Sequence, residues 1–183
     1  MTPKHDALPH TVTNKTVLIT GSALLGALVV VLDYSFKYSG LKIKFPWLLF
    51  LKFDFTGVPI VLSFLIFGFF SSIFTSAVAL FAIFVRSGDF LGASMKALAE
   101  FSTVLGVAFA FKFIPKFKQF SAFTFGILFR CTVMFFANLL FFPISISPLI
   151  AAFNVIQGII SISLGFFIFK ATERKIFTKS WKK

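Results

Sequence analysis

The sequence predicts an all-α integral membrane protein with six transmembrane helices and a long first extracellular loop. Three observations predict it. Of 183 residues, 58% are hydrophobic and 31 are Phe, more apolar surface than a soluble domain can bury. No charge interrupts the run from Thr56 to Val85. At about 1.5 Å per residue that run would make a helix of about 45 Å, too long for one crossing. Gly68, Ser71 and Ser72 near its middle mark a place where a helical hairpin turns. Finally, the charges sum to +12 but gather at the edges of apolar runs. That distribution argues against nucleic-acid binding and fits the cytoplasmic flanks of membrane spans.

Residues 1–14 read as a polar cytoplasmic tail without a signal-peptide pattern. Residues 15–170 form the membrane domain, and residues 171–183 a basic cytoplasmic tail. Helix one is expected from about Lys15 to Tyr34. It places Ser22-xxx-Gly26 and Ala23-xxx-Ala27 on neighbouring faces. Small residues four apart let a second helix backbone approach, from this chain or from another subunit.

The segment from Phe36 to Asp54 carries Lys37, Lys42, Lys44 and Lys52 around Pro46-Trp47 and the apolar Leu48–Leu51. It is too aromatic for a solvated linker and reads as a lid over the membrane domain. Helices two and three are expected at about Gly57–Phe67 and Ser71–Val85, and helix four at about Ala93–Phe113 after the polar Arg86–Asp89. Ile114-Pro115 breaks the chain, because proline disfavours helix in the residue before it. Helix five is expected from about Phe120 to Phe142 and helix six from about Pro148 to Phe169, opened by a proline tolerated in a first turn.

Six crossings put both termini on one side, and the basic tail makes that side cytoplasmic, in a multi-pass protein of the cell membrane. The segments so placed inside carry 11 Lys or Arg against six outside, with Arg130 within helix five. The bias agrees with the orientation.

Charges and amides in lipid are costly, so each is a candidate site residue. Lys52 and Asp54 precede helix two. Lys96 and Glu100 lie one turn apart on a shared face of helix four and could pair. Asn138 lies near the end of helix five; Asn154 and Gln157 lie near the start of helix six. Four segments thus bring polar groups to one depth, consistent with a pocket under the lid or with amides that bond neighbouring helices. Arg130 lies about 12 Å deeper than Asn138 and is expected to snorkel or pair internally.

No Gly-rich phosphate loop ends in Gly-Lys-Ser/Thr, which removes that route to ATP hydrolysis. His5 and His10 sit in the polar tail without Cys partners, so no metal site is expected. The lone Cys131 cannot form an intrachain disulfide. Nothing marks an activated nucleophile, so no enzyme is expected.

Several stretches resemble one family. The run Phe50-Leu51-Lys52-Phe53-Asp54-Phe55-Thr56-Gly57-Val58-Pro59 is similar to the "LKxDxSDIP" approach to helix two in S components of energy-coupling factor (ECF) transporters. Its riboflavin-binding branch resembles the chain most. Ala99-Glu100-Phe101 resembles "ELANF", and Val133-Met134 through Asn138 and Pro143 resembles "VMxxxNYxxxxP". Phe153-Asn154-Val155-Ile156-Gln157-Gly158 resembles "FNLIKG", and Ala23-xxx-Ala27 matches the small-residue motif that docks a shared transmembrane subunit.

The resemblance implies a six-helix substrate-binding subunit without an ATPase of its own. Its partners would be a coupling transmembrane subunit (the T component), two cytoplasmic ABC ATPases and the lipid bilayer. The loaded subunit would topple in the membrane to release its vitamin inside. It implies no cofactor, with riboflavin as the transported ligand. Leu51, Lys52, Phe53, Asp54, Lys96, Glu100, Asn138, Asn154 and Gln157 would form the substrate site, and Ala23 and Ala27 the docking face.

Two departures stand out. Gln157 replaces a cationic donor of that branch by a neutral amide, and Thr56-Gly57 replaces Ser-Asp. Two other readings stay open: another micronutrient, with the lysine-rich loop suiting an anion, and a scaffold whose polar groups only join helices.

Overall fold

In a computed structural model, which describes residues 14–114 and 117–180, the chain folds into six helices and one short hairpin. The side chains of residues 118 and 173–180 are outside the described set, as are His5, His10, Lys4, Pro115, Lys116, Lys182 and Lys183. Helix α1 spans Lys15–Tyr38, α2 Gly57–Phe67, α3 Phe69–Ser87, α4 Phe90–Phe113, α5 Lys118–Leu139 and α6 Ser147–Ser180. Five of these are long and apolar enough to cross a membrane; α2, with 11 residues, is not. The six expected helices are all present, and α2 keeps its expected bounds as a short helix with a rise of about 16 Å.

Except for α2, the helices expose many of their large apolar residues and bury many small or polar ones, as a bundle solvated by lipid should. On α1 the buried stripe is Ser22, Gly26, Val29 and Asp33, while Leu24, Leu28 and Val31 face outward. Asn14 starts the helix by accepting a hydrogen bond from the Thr16 N–H at 3.0 Å. Its end lies at Tyr38, a turn beyond the expected Tyr34.

The α2 helix is buried on nearly all sides. Pro59 sits in its first turn, where the missing N–H costs nothing. Gly68 then takes φ +92°, open to glycine and strained for other residues, and the chain folds back as α3. The turn thus lies at Gly68 rather than at Ser71 or Ser72, which lie within α3. Ser63 Oγ on α2 lies 2.6 Å from Ser71 Oγ on α3, and Ser71 Oγ lies 2.5 Å from Ser22 Oγ on α1. Thr75 donates to Ser63 at 3.0 Å. These buried hydroxyls join three helices.

At the other end of α3, Gly88 at φ +69° closes the helix. The Asp89 carboxylate then starts α4 by accepting from the Gly92 N–H at 2.9 Å. The α4 and α5 helices approach closely, because a Cβ on Gly106 would overlap the Phe125 carbonyl oxygen. Ile60, Val61, Val104, Val107, Ala122 and Ile162 fill the core between α2, α4, α5 and α6. Both later helices differ from expectation. The α5 helix stops at Leu139 and a turn carries the chain to Pro143, while α6 stays helical to Ser180 instead of ending near Phe169.

The segment between α1 and α2 is an antiparallel hairpin. Strand β1 is Lys44–Phe45 and β2 is Leu48–Lys52, with Lys44 opposite Lys52 and Phe45 opposite Leu48. Phe45, almost fully buried, packs edge-on against Phe153 of α6 at 5.6 Å. Phe50 stacks on Phe142 at 5.8 Å. These rings seat the hairpin over one end of the bundle.

Candidate functional site

The hairpin and the helices α1, α3, α4, α5 and α6 bound a cavity of about 450 Å³. Its apolar walls include Phe50, Leu91, Met95, Met134, Phe142 and Phe153. Of the site residues read from the sequence, all but Phe53 line it. Phe53 instead packs between Phe45 and Phe153, with ring centres 5.8 and 4.9 Å away.

Asp54 is the hub. It lies where the chain descends from the hairpin into α2, and its carboxylate accepts from the Thr56 N–H at 3.2 Å and the Thr56 hydroxyl at 2.8 Å. Those bonds fix a turn that leads into the helix. The Lys96 ammonium forms an ion pair with the same carboxylate, and Lys42 Nζ lies 3.8 Å from it. From α6, Gln157 Nε2 donates to the Asp54 carbonyl oxygen at 2.6 Å.

The pair that their spacing allows, Lys96 with Glu100, is therefore not the one formed: the hub takes Lys96, and Glu100 turns to Arg130. Arg130 Nη1 lies 3.1 Å from Glu100 Oε1. The guanidinium directs its hydrogens elsewhere, Nε to Asn154 Oδ1 at 3.1 Å and Nη1 to Thr103 Oγ1 at 3.0 Å. Arg130 is thus paired internally, as its depth leads one to expect, and joins α4, α5 and α6. Glu100 gains an ion pair but no hydrogen bond among the described residues. Its carboxylate and the Ser161 hydroxyl occupy the space where a Cβ on Gly57 would stand. Asn138 and Asn154 direct their amide N–H groups to carbonyls one turn back, Met134 at 2.5 Å and Ile150 at 2.9 Å.

A second cluster escaped sequence reading. Asp33, fully buried near the end of α1, takes Lys42 Nζ at 2.5 Å and Arg86 Nε at 2.5 Å. An acid within an otherwise apolar span is the signal that marks it. Lys42 and Arg86 could be read only as flanking charges, because their partner lies on another element. At the cavity mouth Lys37 sits beside Lys52 and, with partial burial and Lys44, holds the Lys52 ammonium below its ordinary range. Among the described residues Gln157 Oε1 and Ser161 Oγ, like both Glu100 carboxylate oxygens, accept no hydrogen bond. Gln157 and Glu100 line the cavity, and Ser161 does not.

No family model matches the chain, and no curated protein matches it. Its fold is similar to the solved structure of the S component of a bacterial ECF transporter, with a TM-score of 0.78 at 20% identity. The alignment covers 89% of this chain and 99% of that one. At that identity the likeness establishes the fold.

Proposed function

We propose that this chain is the substrate-binding membrane subunit of an ECF-type importer. It would capture a vitamin at the hairpin end of the bundle and deliver it across the membrane with a T component and two ABC ATPases. The observation that carries this reading is the cavity itself. A hollow of about 450 Å³ fits a vitamin-sized molecule, and it lies within a fold shared with a solved S component. A protein whose polar residues served only to join helices would have no reason to leave that volume open, since empty space costs packing.

Riboflavin is the specific ligand that the sequence resemblance favours. The aromatic walls suit a flavin ring, Asn138 offers an amide beside it, and Gln157 presents a free acceptor to a ring N–H. In this reading both termini face the cytoplasm, and Ala23 and Ala27 form the docking face for the T component. Their side of α1 is exposed, whereas Ser22 and Gly26 are spent on α3.

Riboflavin titrated into the purified protein, followed by quenching of flavin fluorescence, tests the ligand. Saturable quenching weakened by Asn138→Ala supports it, and absence of quenching by a folded protein rejects it. Co-purification with a T component tests the subunit role separately.

A further inference from the structure

The charges around the cavity do not balance. Six cationic side chains face four carboxylates along its wall. Arg130 and Glu100 neutralise one another at the bottom, and Arg86 pairs with Asp33. Lys96 pairs with Asp54. Asp89, the fourth carboxylate, is exposed and spent on starting α4. Lys42 can only share Asp33 and Asp54 with cations already there.

Lys37 and Lys52 find neither a carboxylate nor a hydrogen-bond acceptor among the described residues, yet both line the cavity. Like charges held together beside a low-dielectric wall repel one another more than in water. The depressed affinity of Lys52 for its proton, caused first by Lys37, is the same repulsion seen from the proton's side.

We infer that the cavity takes an anionic small molecule, with a carboxylate or phosphate group seated against Lys37, Lys42 and Lys52. An apolar or aromatic body would extend between Phe50, Met134 and Phe142, and one hydrogen-bond donor would meet Gln157 Oε1. The inference rests on reading the cavity as a ligand site. It goes further in naming the charge of the occupant, which uncharged riboflavin lacks. The anion completes a set of cations that the protein's own carboxylates leave in excess, so binding adds attraction and removes repulsion together.

The test compares three probes on the purified full chain at matched ionic strength: riboflavin 5′-phosphate, riboflavin and inorganic phosphate. The unfolding temperature and, for the flavins, fluorescence quenching are the readouts. The expected result is stabilisation by the two phosphate-bearing probes. Riboflavin 5′-phosphate should bind at least tenfold tighter than riboflavin, roughly what one charge-assisted contact supplies. Lys37→Gln and Lys52→Gln should each remove a large part of that difference. Neither lysine has a partner to orphan, so both variants should fold.

Riboflavin binding as well as its phosphate would overturn the anionic class and leave the ligand site standing. Stabilisation by none of the three would overturn this inference, while T-component co-purification would still decide the subunit role. Phosphate stabilisation unchanged in both lysine variants would mean an anion bound elsewhere, and would also overturn it.

Discussion

Gln157 on α6 and Asp54 below the hairpin are joined across 103 positions of sequence by one hydrogen bond, 2.6 Å from Nε2 to the carbonyl oxygen. It ties the exit of the hairpin to α6, beside the Arg130–Asn154 bond that ties α5 to the same helix. Replacing Gln157 with Leu would leave the buried carbonyl without that donor, at a cost of about 1–3 kcal/mol. The expected outcome is a lower unfolding temperature in detergent. An unchanged value would show that the carbonyl finds another donor.

Arg130 and Glu100 give the largest expected effect. Arg130→Met strands a buried carboxylate and should cost about 3–5 kcal/mol, whereas Arg130→Met with Glu100→Gln should recover much of it. Equal losses in the single and double variants, measured by chemical denaturation, would contradict the pairing.

Two glycines on the same kind of interface should behave oppositely. Gly106→Ala drives a methyl into the Phe125 backbone carbonyl, which cannot rotate aside, and should destabilise by about 1–3 kcal/mol. Gly26→Ala meets only Val78 methyls at 3.4 Å, so its effect should stay within about 1 kcal/mol of zero. Thermal unfolding of the pair checks the ranking.

Ala23→Leu and Ala27→Leu change side chains that are exposed among the described residues. Stability and ligand binding should therefore be unaffected, while co-purification with a T component should be lost. Loss of stability in either variant would place that face inside the fold instead.

The Lys52 repulsion predicts a pH dependence with a definite sign. The folded chain holds the Lys52 proton more weakly than the unfolded chain does, so the unfolded state binds more protons just below pH 10.5. Stability should rise with pH in that window by the contribution of this group. Lys52→Gln should flatten the slope relative to the parent in a pH series of unfolding temperatures. An identical slope in both proteins would remove Lys52 as its source.

The spans were legible because hydropathy and breakers are local: Gly68 marks the α2–α3 turn, and Asp89 and Pro143 bracket the later helices. The hairpin was not legible, since Leu48–Leu51 reads equally as helix or strand over so few residues and Pro46-Trp47 is a weak turn signal. Lys96 and Glu100 share a helix face, and spacing alone pairs them. The fold brings each a better partner, Asp54 and Arg130, from segments far away in sequence. The far end of α6 escaped for another reason. Apolar character ends near Phe169, but a helix needs only its own backbone hydrogen bonds to continue beyond a membrane.

The hairpin is held down by rings alone at two points, Phe45 on Phe153 of α6 and Phe50 on Phe142 of the α5–α6 turn. Ring contacts are non-directional, so they can part and close again without leaving a buried polar group unpaired. If the cavity takes a ligand as proposed, those two contacts are the latch: an occupant longer than the hollow would have to lift Phe45 and Phe50 from their seats.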